Sequence, residues 1–256
     1  FGPYRQSQRF GSYEATLEML RTRGLIYPCF CTRKELREMA GAPHGAADGL
    51  SDCGAPYPGT CRTLSQQEAH ERIKKGAKAS MRLRCPDGEE GRISFADALC
   101  GNQSFTLTDC GGDFVVLRSD GVWAYQLAVV CDDISMGVNQ VVRGNDILSS
   151  TPRQLWLYHL LGAALPQFMH VPLLCDAQGE RLAKRHGSLS IAALRDRGCK
   201  AERIIGWLAW TAGLADLPQP STPWQLAHAL RGTDISLLAM LRRQRIIIPE
   251  NIELLL

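Results

Sequence analysis

The sequence lacks both a long apolar run and a strong charge of either sign. No stretch of its 256 residues approaches the roughly 18 apolar residues that a membrane-spanning helix needs, and the first ten residues contain no apolar signal segment. The net charge is only +3, which permits a nucleic-acid partner without arguing for one. We therefore expect a cytoplasmic protein with no membrane partner.

Two common phosphate-binding sequences are also missing. The chain contains neither a Walker-type sequence nor a G-x-G-x-x-G string followed by a helix, so any nucleotide site is of another kind. The remaining composition, 45% hydrophobic and 21% charged, is that of an ordinary globular protein. A chain of this length can bury a sizeable core without disulfide bonds.

Helical and extended patterns alternate along the middle of the chain. Residues 79–131 are predicted to be mostly extended, with a hairpin at Asp120-Gly121, and most of the chain after position 190 is predicted to be helical. This order predicts an α/β fold with a mainly parallel sheet and a helical C-terminal part. Further helices are predicted at 11–24, 32–39, 65–76 and 150–162, where Thr151 is the expected cap, and further strands at 25–31, 138–144 and 168–176.

Four of the ten cysteines crowd between positions 29 and 61. Cys29, Cys31 and Cys61 are the obvious ligands for a tetrahedral zinc ion, because zinc is held by thiolates from sequence-distant pairs. The alternative is a set of free thiols in a surface loop, since a single residue between the first two cysteines is shorter than the usual spacing. A disulfide is disfavoured in a cytosolic chain. The candidates for a fourth ligand are Cys53, Tyr57 and His44.

A second notable stretch is "CDAQGERLAKRHGS" at 175–188. It follows a predicted strand and holds two glycines, three basic residues and a histidine. A flexible basic loop in this position suits a polyanion such as a nucleoside triphosphate. The alternative is a solvated basic turn.

These strings resemble a known family. "GERLAKRHGS" resembles the K-M-S-K-S loop of class I aminoacyl-tRNA synthetases in its glutamyl variant, and "SDGVWAYQLAVVCDD" with "VVRGNDILSSTPRQLWLYHLLG" resembles the second half of that catalytic core. The match runs from about Ser7 to about Leu214. "CFC…YPGTC" resembles the zinc element of the glutamyl-Q tRNA(Asp) synthetases, the short paralogues of the glutamyl enzymes, and the short segment after Arg185 favours that family over glutamyl-tRNA synthetase.

The resemblance implies an architecture. We expect the second half of a Rossmann-like class I catalytic core, a zinc-binding insertion and a helical C-terminal part. The implied boundaries are 1–26 for a remnant of the first half, 27–68 for the insertion, 69–195 for the rest of the core, and 196–256 for the helical part.

The resemblance also implies roles for single residues in ATP and glutamate binding. Lys184 matches the second lysine of the signature loop and is the expected catalytic cation on the triphosphate of ATP, assisted by Arg181. Ala183 replaces the usual serine. Tyr125 and Arg143 match the pair that binds glutamate.

Zinc binding follows from the same resemblance. The implied ligands are Cys29, Cys31, Tyr57 and Cys61, and the ion is expected to be structural. Three carboxylates lie close in sequence to Tyr125 and Arg143, namely Asp132, Asp133 and Asp146. They are candidates for binding the ammonium group of glutamate or for shaping its pocket. We assign none of them a catalytic role, because the reaction needs positioning and charge stabilisation more than a proton shuttle.

The implied activity has two steps. ATP, with Mg²⁺, activates glutamate to glutamyl-adenylate without tRNA, and the glutamyl group then passes to queuosine in the anticodon loop of tRNA(Asp). A monomer is expected. The family's R-F-A-P-S-P-S-G-like and H-I-G-H-like strings do not occur, so we expect the 256-residue chain alone not to activate glutamate. The alternatives are a truncated glutamyl-tRNA synthetase and a zinc-stabilised tRNA-binding fragment without activity.

Overall fold

The computed structural model describes residues 4–39, 57–182, 190–233, 241 and 243–248. Helices and strands are mixed along the chain, as in an α/β fold. The α-helices are α1 (Phe10–Thr22), α2 (Arg33–Met39), α3 (Gln66–Lys74), α4 (Tyr125–Met136), α5 (Thr151–Leu161), α6 (Ile191–Asp196), α7 (Ala201–Thr211) and α8 (Pro223–Ala229). The strands are β1 (Ile26–Cys29), β2 (Ser80–Leu83), β3 (Arg92–Asp97), β4 (Gly101–Thr106), β5 (Phe114–Leu117), β6 (Gln140–Gly144), β7 (Gln167–Val171), β8 (Leu173–Cys175) and β9 (Arg245–Ile247).

Helices α2 and α3 begin where their capping residues predict. The Thr32 backbone N–H donates to Glu35 Oε2 over 2.6 Å, and the Glu35 N–H donates back to Thr32 Oγ1 over 3.2 Å. Ser65 and Glu68 form the same reciprocal pair at 2.9 and 3.2 Å. Each box satisfies N–H groups that the helix itself leaves without partners.

The prediction of extended structure is wrong beyond the Asp120-Gly121 turn. The turn itself is present, and a hydrogen bond of 2.9 Å from the Arg118 N–H to the Val122 carbonyl closes it. The chain then enters α4, which starts at Tyr125 and ends at Gly137 with a φ of +66°. A short apolar run has the same pattern in a buried helix as in a buried strand, and here it is a helix.

The start of α5 is displaced by one residue from the predicted cap. Ser150 is the N-cap, and Thr151 is the first helical residue. The predicted end is confirmed, because Gly162 closes the helix with a φ of +63°. Glycine adopts this left-handed conformation without the steric cost that a side chain would bring.

The sheets are only partly parallel. The three-stranded sheet has the order β1–β2–β5 and is antiparallel throughout. The four-stranded sheet has the order β4–β3–β7–β6, with Asp97 parallel to Phe168. The strand predicted at 168–176 divides into β7 and β8 at Pro172, which has no N–H for a sheet ladder. Strand β8 pairs in parallel with β9, a strand in a region predicted to be helical.

The chain forms two compact units. The first contains residues 1–95, 103–141 and 147–166, and the second contains 96–102, 142–146 and 167–256. The described core of the first unit draws on α1, α4, α5 and the antiparallel sheet, through residues such as Tyr13, Leu20, Leu83, Val116, Leu127 and Leu157. A smaller apolar cluster in the second unit centres on Trp207 and Ile248. The four-part division expected from the sequence stays a prediction.

Among the residues that the structure describes, no helix is long and apolar enough to cross a membrane.

A buried carboxylate organises the antiparallel sheet of the first unit. Asp113 is only 4% exposed. It accepts a hydrogen bond of 2.6 Å from Tyr27 Oη and one of 2.7 Å from the Cys85 N–H. The Asp113 carbonyl accepts from Arg82 Nη1 over 2.7 Å. Burial, followed by the hydrogen bond to Asp113, raises the pKa of Tyr27 above its ordinary range, so this hydroxyl stays a donor.

We expect Tyr27→Phe to destabilise the fold. The substitution removes the Oη–H donor and leaves a buried carboxylate oxygen short of a partner, which costs about 1–3 kcal/mol. Urea denaturation at neutral pH measures this free energy. Tyr4→Phe is the matched control, because Tyr4 is 45% exposed. Equal unfolding midpoints for the two variants would contradict the role given to Asp113.

Candidate functional site

Three predicted zinc ligands come together at the end of β1. The Sγ atoms of Cys29, Cys31 and Cys61 all lie within 4.8 Å of one another, and Cys31 Sγ is 3.7 Å from Cys61 Sγ. The Oη atom of Tyr57 lies 3.4 Å from Cys29 Sγ. The fold thus brings together the four side chains that the sequence predicts as zinc ligands.

These separations can be compared with the edges of a metal-centred tetrahedron. Zn–S bonds of about 2.3 Å place two sulfur atoms about 3.8 Å apart, and a Zn–O bond of about 2.0 Å places oxygen about 3.5 Å from sulfur. The observed 3.7 and 3.4 Å match both edges. The donor set therefore fits a thiophilic tetrahedral cation. The other candidates for the fourth ligand, Cys53 and His44, lie outside the described residues.

The charges around the cluster favour one thiolate and disfavour a second. Burial raises the pKa of Cys29, but hydrogen bonds from Tyr57 and Arg82 outweigh it and leave the pKa below its ordinary value. Burial, and then the negative charge of Cys29, raises the pKa of Cys31 to about 12. Packing several thiolates together therefore requires a compensating positive charge.

A cavity lies beside the cysteine cluster, with Cys31 and Cys61 in its lining. It has a volume of about 550 Å³ and provides an entry path for an ion. The Arg72 guanidinium lies 5.5 Å from the centre of the Phe30 ring at this cavity. Its lining residues are Phe30, Cys31, Glu35, Glu38, Met39, Thr60, Cys61 and Arg72.

The predicted glutamate ligand Arg143 lies near the end of β6 in the second unit. Its Nε atom donates a 2.9 Å hydrogen bond to His170 Nε2. The opposite ring nitrogen, Nδ1, lies 2.6 Å from Asp97 Oδ2. His170 is fully buried, and Asp97 is 3% exposed. Arg143 is thus the outer member of a three-residue chain of hydrogen bonds.

Asp97 is held in place by the backbone at the end of β3. Its Oδ1 atom accepts from the N–H groups of Leu99, Cys100 and His170 at 3.0, 2.8 and 3.2 Å. Burial opposes ionisation, but the hydrogen bonds from His170 and from these N–H groups prevail and lower the pKa of Asp97 to about 2. The carboxylate is therefore ionised throughout the physiological range.

Sequence reasoning missed both inner members of this chain. Asp97 closes the alternating stretch "RISFAD", and His170 lies inside the apolar stretch "QFMHVPLL". A polar residue on the buried face of a strand is the signal that was available, because such groups require hydrogen-bond partners. The sequence did not indicate which partners these residues have.

The basic loop is described only in part. Lys184, the expected catalytic cation, lies outside the described residues, as does Ala183. Arg181 is described, and its Nη1 forms an ion pair with Asp146 Oδ2 in the second unit. The roles predicted for Lys184 and Arg181 in ATP binding stay predictions.

Tyr125 starts a helix instead of lying in the extended stretch predicted for residues 79–131, and its role in binding glutamate stays a prediction. It is the first residue of α4 and is 49% exposed, so it is neither a strand residue nor part of the core. Asp132 on the same helix is buried and accepts hydrogen bonds from Arg9 Nε and Tyr13 Oη at 2.5 and 2.8 Å. These bonds give Asp132 a structural role within the first unit.

We expect the contribution of Asp97 to stability to depend on pH. Because the folded-state pKa is lowered to about 2 from 3.8, the stabilisation is present above pH 4 and is lost as the pH falls toward 2. Asp97→Asn should lower the free energy of unfolding by about 2 kcal/mol at pH 7, and the difference from the parent protein should narrow at pH 3. Urea titrations at both pH values measure it.

Asp216→Asn, at an exposed position, is the control for this measurement. It should leave the unfolding midpoint nearly unchanged at either pH. An Asp97→Asn effect that is the same at pH 7 and pH 3 would show that the ionised form of the carboxylate is not what stabilises the fold.

The chain is similar in sequence to known proteins. Residues 1–212 match the family described as tRNA synthetases class I (E and Q), catalytic domain. The chain is 57% identical over 222 residues to a glutamyl-Q tRNA(Asp) synthetase of Nitratidesulfovibrio vulgaris, covering 87% of this chain and 66% of the relative. It is 48% identical over 225 residues to one of Symbiobacterium thermophilum, covering 88% and 67%. The chain thus spans about two thirds of the length of these relatives.

A solved structure supports the same fold. The glutamate tRNA ligase of Elizabethkingia meningosepticum, in complex with its amino acid, aligns with a TM-score of 0.71 at 22% identity, covering 96% of this chain and 52% of that one. At this identity the likeness concerns the fold alone. The matches in sequence show that the chain belongs to the glutamyl-Q tRNA(Asp) synthetase family of class I tRNA synthetases.

Proposed function

We propose that this chain carries the second half of the catalytic core of an enzyme that activates glutamate with ATP and transfers it to queuosine in tRNA(Asp). The main support is the 57% identity to a relative named glutamyl-Q tRNA(Asp) synthetase. A second support is Arg143, a guanidinium held in a fixed orientation by a buried histidine. A fixed guanidinium suits the recognition of a carboxylate.

The first step under this proposal is formation of an acyl-adenylate. A carboxylate oxygen of glutamate attacks the α-phosphorus of ATP, and pyrophosphate leaves. Lys184 and Arg181 would stabilise the charge that develops on the departing phosphates, together with Mg²⁺. Arg143 would bind a carboxylate of glutamate, and the hydroxyl of Tyr125 would orient the amino acid. None of these roles requires a general base.

The second step transfers the glutamyl group to queuosine. A hydroxyl oxygen of the modified base attacks the acyl carbon of the adenylate, AMP leaves, and the hydroxyl proton is released to solvent. Transfer to a base in the anticodon loop, instead of to the 3′ end, is the property that separates this proposal from a glutamyl-tRNA synthetase.

The cysteine cluster is proposed to hold a structural zinc ion. Cys29, Cys31 and Cys61 would supply thiolates, and Tyr57 would supply the fourth donor. A bound zinc would tie the end of β1 to the segment that contains Tyr57 and Cys61. The S–S and S–O separations of 3.7 and 3.4 Å support this donor set.

The transfer reaction can be tested in a chimera. In it, this chain replaces the matching segment of the Nitratidesulfovibrio vulgaris relative, and labelled glutamate is supplied with ATP and queuosine-containing tRNA(Asp). We expect label on this tRNA both before and after removal of its 3′-terminal nucleotides. Arg143→Ala should lower kcat/KM about 100-fold, because a hydrogen bond to a charged group contributes about 1.5–3 kcal/mol.

Arg231→Ala, at an exposed position, is the matched control and should retain full activity. Label that disappears when the 3′ end is removed would favour glutamyl-tRNA synthesis and overturn the acceptor proposed here. An inactive chimera that still binds the tRNA would favour a binding fragment.

Metal analysis of the purified chain tests the zinc site. We expect about one zinc per chain in the parent protein and a loss of bound zinc in Cys61→Ser, because one thiolate fewer weakens a tetrahedral site sharply. Tyr57→Phe should weaken binding less than Cys61→Ser, since three thiolates remain. Competition with a chromogenic chelator gives the affinities.

Cys199→Ser is the control, because Cys199 does not belong to the cluster. Cys53→Ser decides between the two candidates for the fourth ligand. A larger loss of affinity in Cys53→Ser than in Tyr57→Phe would show that Tyr57 is not the ligand.

A further inference from the structure

We propose that Asp97 and His170 are positioning residues that fix the Arg143 guanidinium for its ligand. The inference rests on the proposed function only for the identity of that ligand, the carboxylate of glutamate. The hydrogen-bonded chain itself, from Asp97 through His170 to Arg143, consists of described residues within the second unit.

The direction of each hydrogen bond follows from the chemistry of the groups. A guanidinium has only N–H donors, so His170 Nε2 must accept the 2.9 Å bond from Arg143 Nε. A neutral imidazole that accepts at Nε2 carries its proton on Nδ1. That proton points to Asp97 Oδ2, 2.6 Å away. The carboxylate thus selects the tautomer of His170 that Arg143 requires.

The inner end of the chain is rigid. Asp97 Oδ1 accepts from three backbone N–H groups at 2.8–3.2 Å, which leaves Oδ2 facing the histidine. The Ala98 N–H also donates to the Phe168 carbonyl over 2.9 Å, so β3 is tied to the strand that carries His170. With His170 fully buried, neither inner group can reorient without breaking several hydrogen bonds.

Arg143, at the outer end of the hydrogen-bonded chain, is also held by an aromatic ring. The Arg143 guanidinium lies 5.1 Å from the centre of the Phe168 ring, and that ring stacks on the imidazole of His170 with centroids 6.1 Å apart. A hydrogen bond at Nε and an aromatic ring beside the guanidinium together define its plane. A guanidinium contains five N–H donors, so the bond through Nε is compatible with a two-pronged contact from the Nη atoms to a carboxylate.

We expect Asp97→Asn to break the hydrogen bond between His170 and Arg143, on the opposite side of the imidazole ring. The asparagine Oδ1 would stay with the three backbone N–H groups, so its amide N–H would face His170 Nδ1. That nitrogen would then have to accept, and the proton would move to Nε2. There it would oppose the Arg143 Nε–H, donor against donor, and the guanidinium would leave its position.

Two substitutions of His170 separate positioning from structure. Glutamine can place its side-chain oxygen near the position of Nε2 and accept from Arg143. Asparagine reaches only the position of Nδ1 and can contact Asp97 alone. If the chain positions Arg143, His170→Gln should resemble the parent protein more closely than His170→Asn does.

The kinetic test uses ATP–pyrophosphate exchange by the chimera described above. We expect Asp97→Asn and His170→Asn to raise the KM for glutamate at least tenfold, with the KM for ATP unchanged and with partial recovery in His170→Gln. Tyr27→Phe is the control, because it loses a buried hydrogen bond in the first unit and should leave both KM values unchanged. Unchanged KM for glutamate in both Asp97→Asn and His170→Asn would overturn the inference.

The second arm uses nitrogen-15 NMR of the complete 256-residue chain. His170 should show a protonated Nδ1 in the parent protein and a protonated Nε2 in Asp97→Asn, and the Arg143 Nε–H resonance should shift in the same variant. The same tautomer in both proteins would overturn the inference. This arm needs no activity, so failure of the proposed function, seen as a parent chimera without exchange, is distinguishable from failure of the positioning chain.

Discussion

The buried carboxylate of Asp113 is the group on which the first unit and its cysteine cluster depend. It accepts from Tyr27 on β1 and from the Cys85 N–H beyond β2, while its own carbonyl accepts from Arg82. Arg62, next to Cys61, lies 3.6 Å from the same carboxylate. Removing a partner of a buried charge destabilises the fold more than removing a partner of a surface ion pair does. The reason is that the desolvated charge is left uncompensated. Its neighbours are therefore held at defined positions.

The cysteine cluster uses that framework. Cys29 ends β1, and the backbone N–H of Tyr57 donates to the Gly111 carbonyl over 3.0 Å. The Arg82 guanidinium lies 3.8 Å from the centre of the Tyr57 ring, close to the same strands. Three sulfur atoms and one phenol oxygen thus meet without a disulfide among them. The cluster is placed by the sheet, and a bound cation would add to an arrangement that packing already favours.

A second buried carboxylate plays a different part in the second unit. Asp97 is anchored by three backbone N–H groups and directs its remaining oxygen to His170, which in turn meets Arg143. Where Asp113 joins strands, Asp97 links a strand end to a residue with a proposed role in binding. In both cases the low local dielectric makes a satisfied network strong and an unsatisfied one costly.

Local chemistry made much of the chain predictable. The capping boxes at Thr32 and Ser65, the helix end at Gly162 and the turn at Asp120 depend on residues no more than a few positions apart, so the sequence alone determined them. The spacing of Cys29, Cys31 and Cys61 likewise indicated a cluster that the structure contains. The strings that resemble the synthetase family are also properties of the sequence.

Tertiary structure decided the rest. The apolar run after Tyr125 is a helix because it packs against α1 and α5, a choice that its own pattern left open. Asp97 and His170 are 73 positions apart, and neither is marked by a motif. Only the parallel pairing of β3 with β7 brings them together. A hydrogen bond between distant residues depends on strand pairing, which local sequence does not encode, and the setting of Arg143 was therefore visible only in the folded protein.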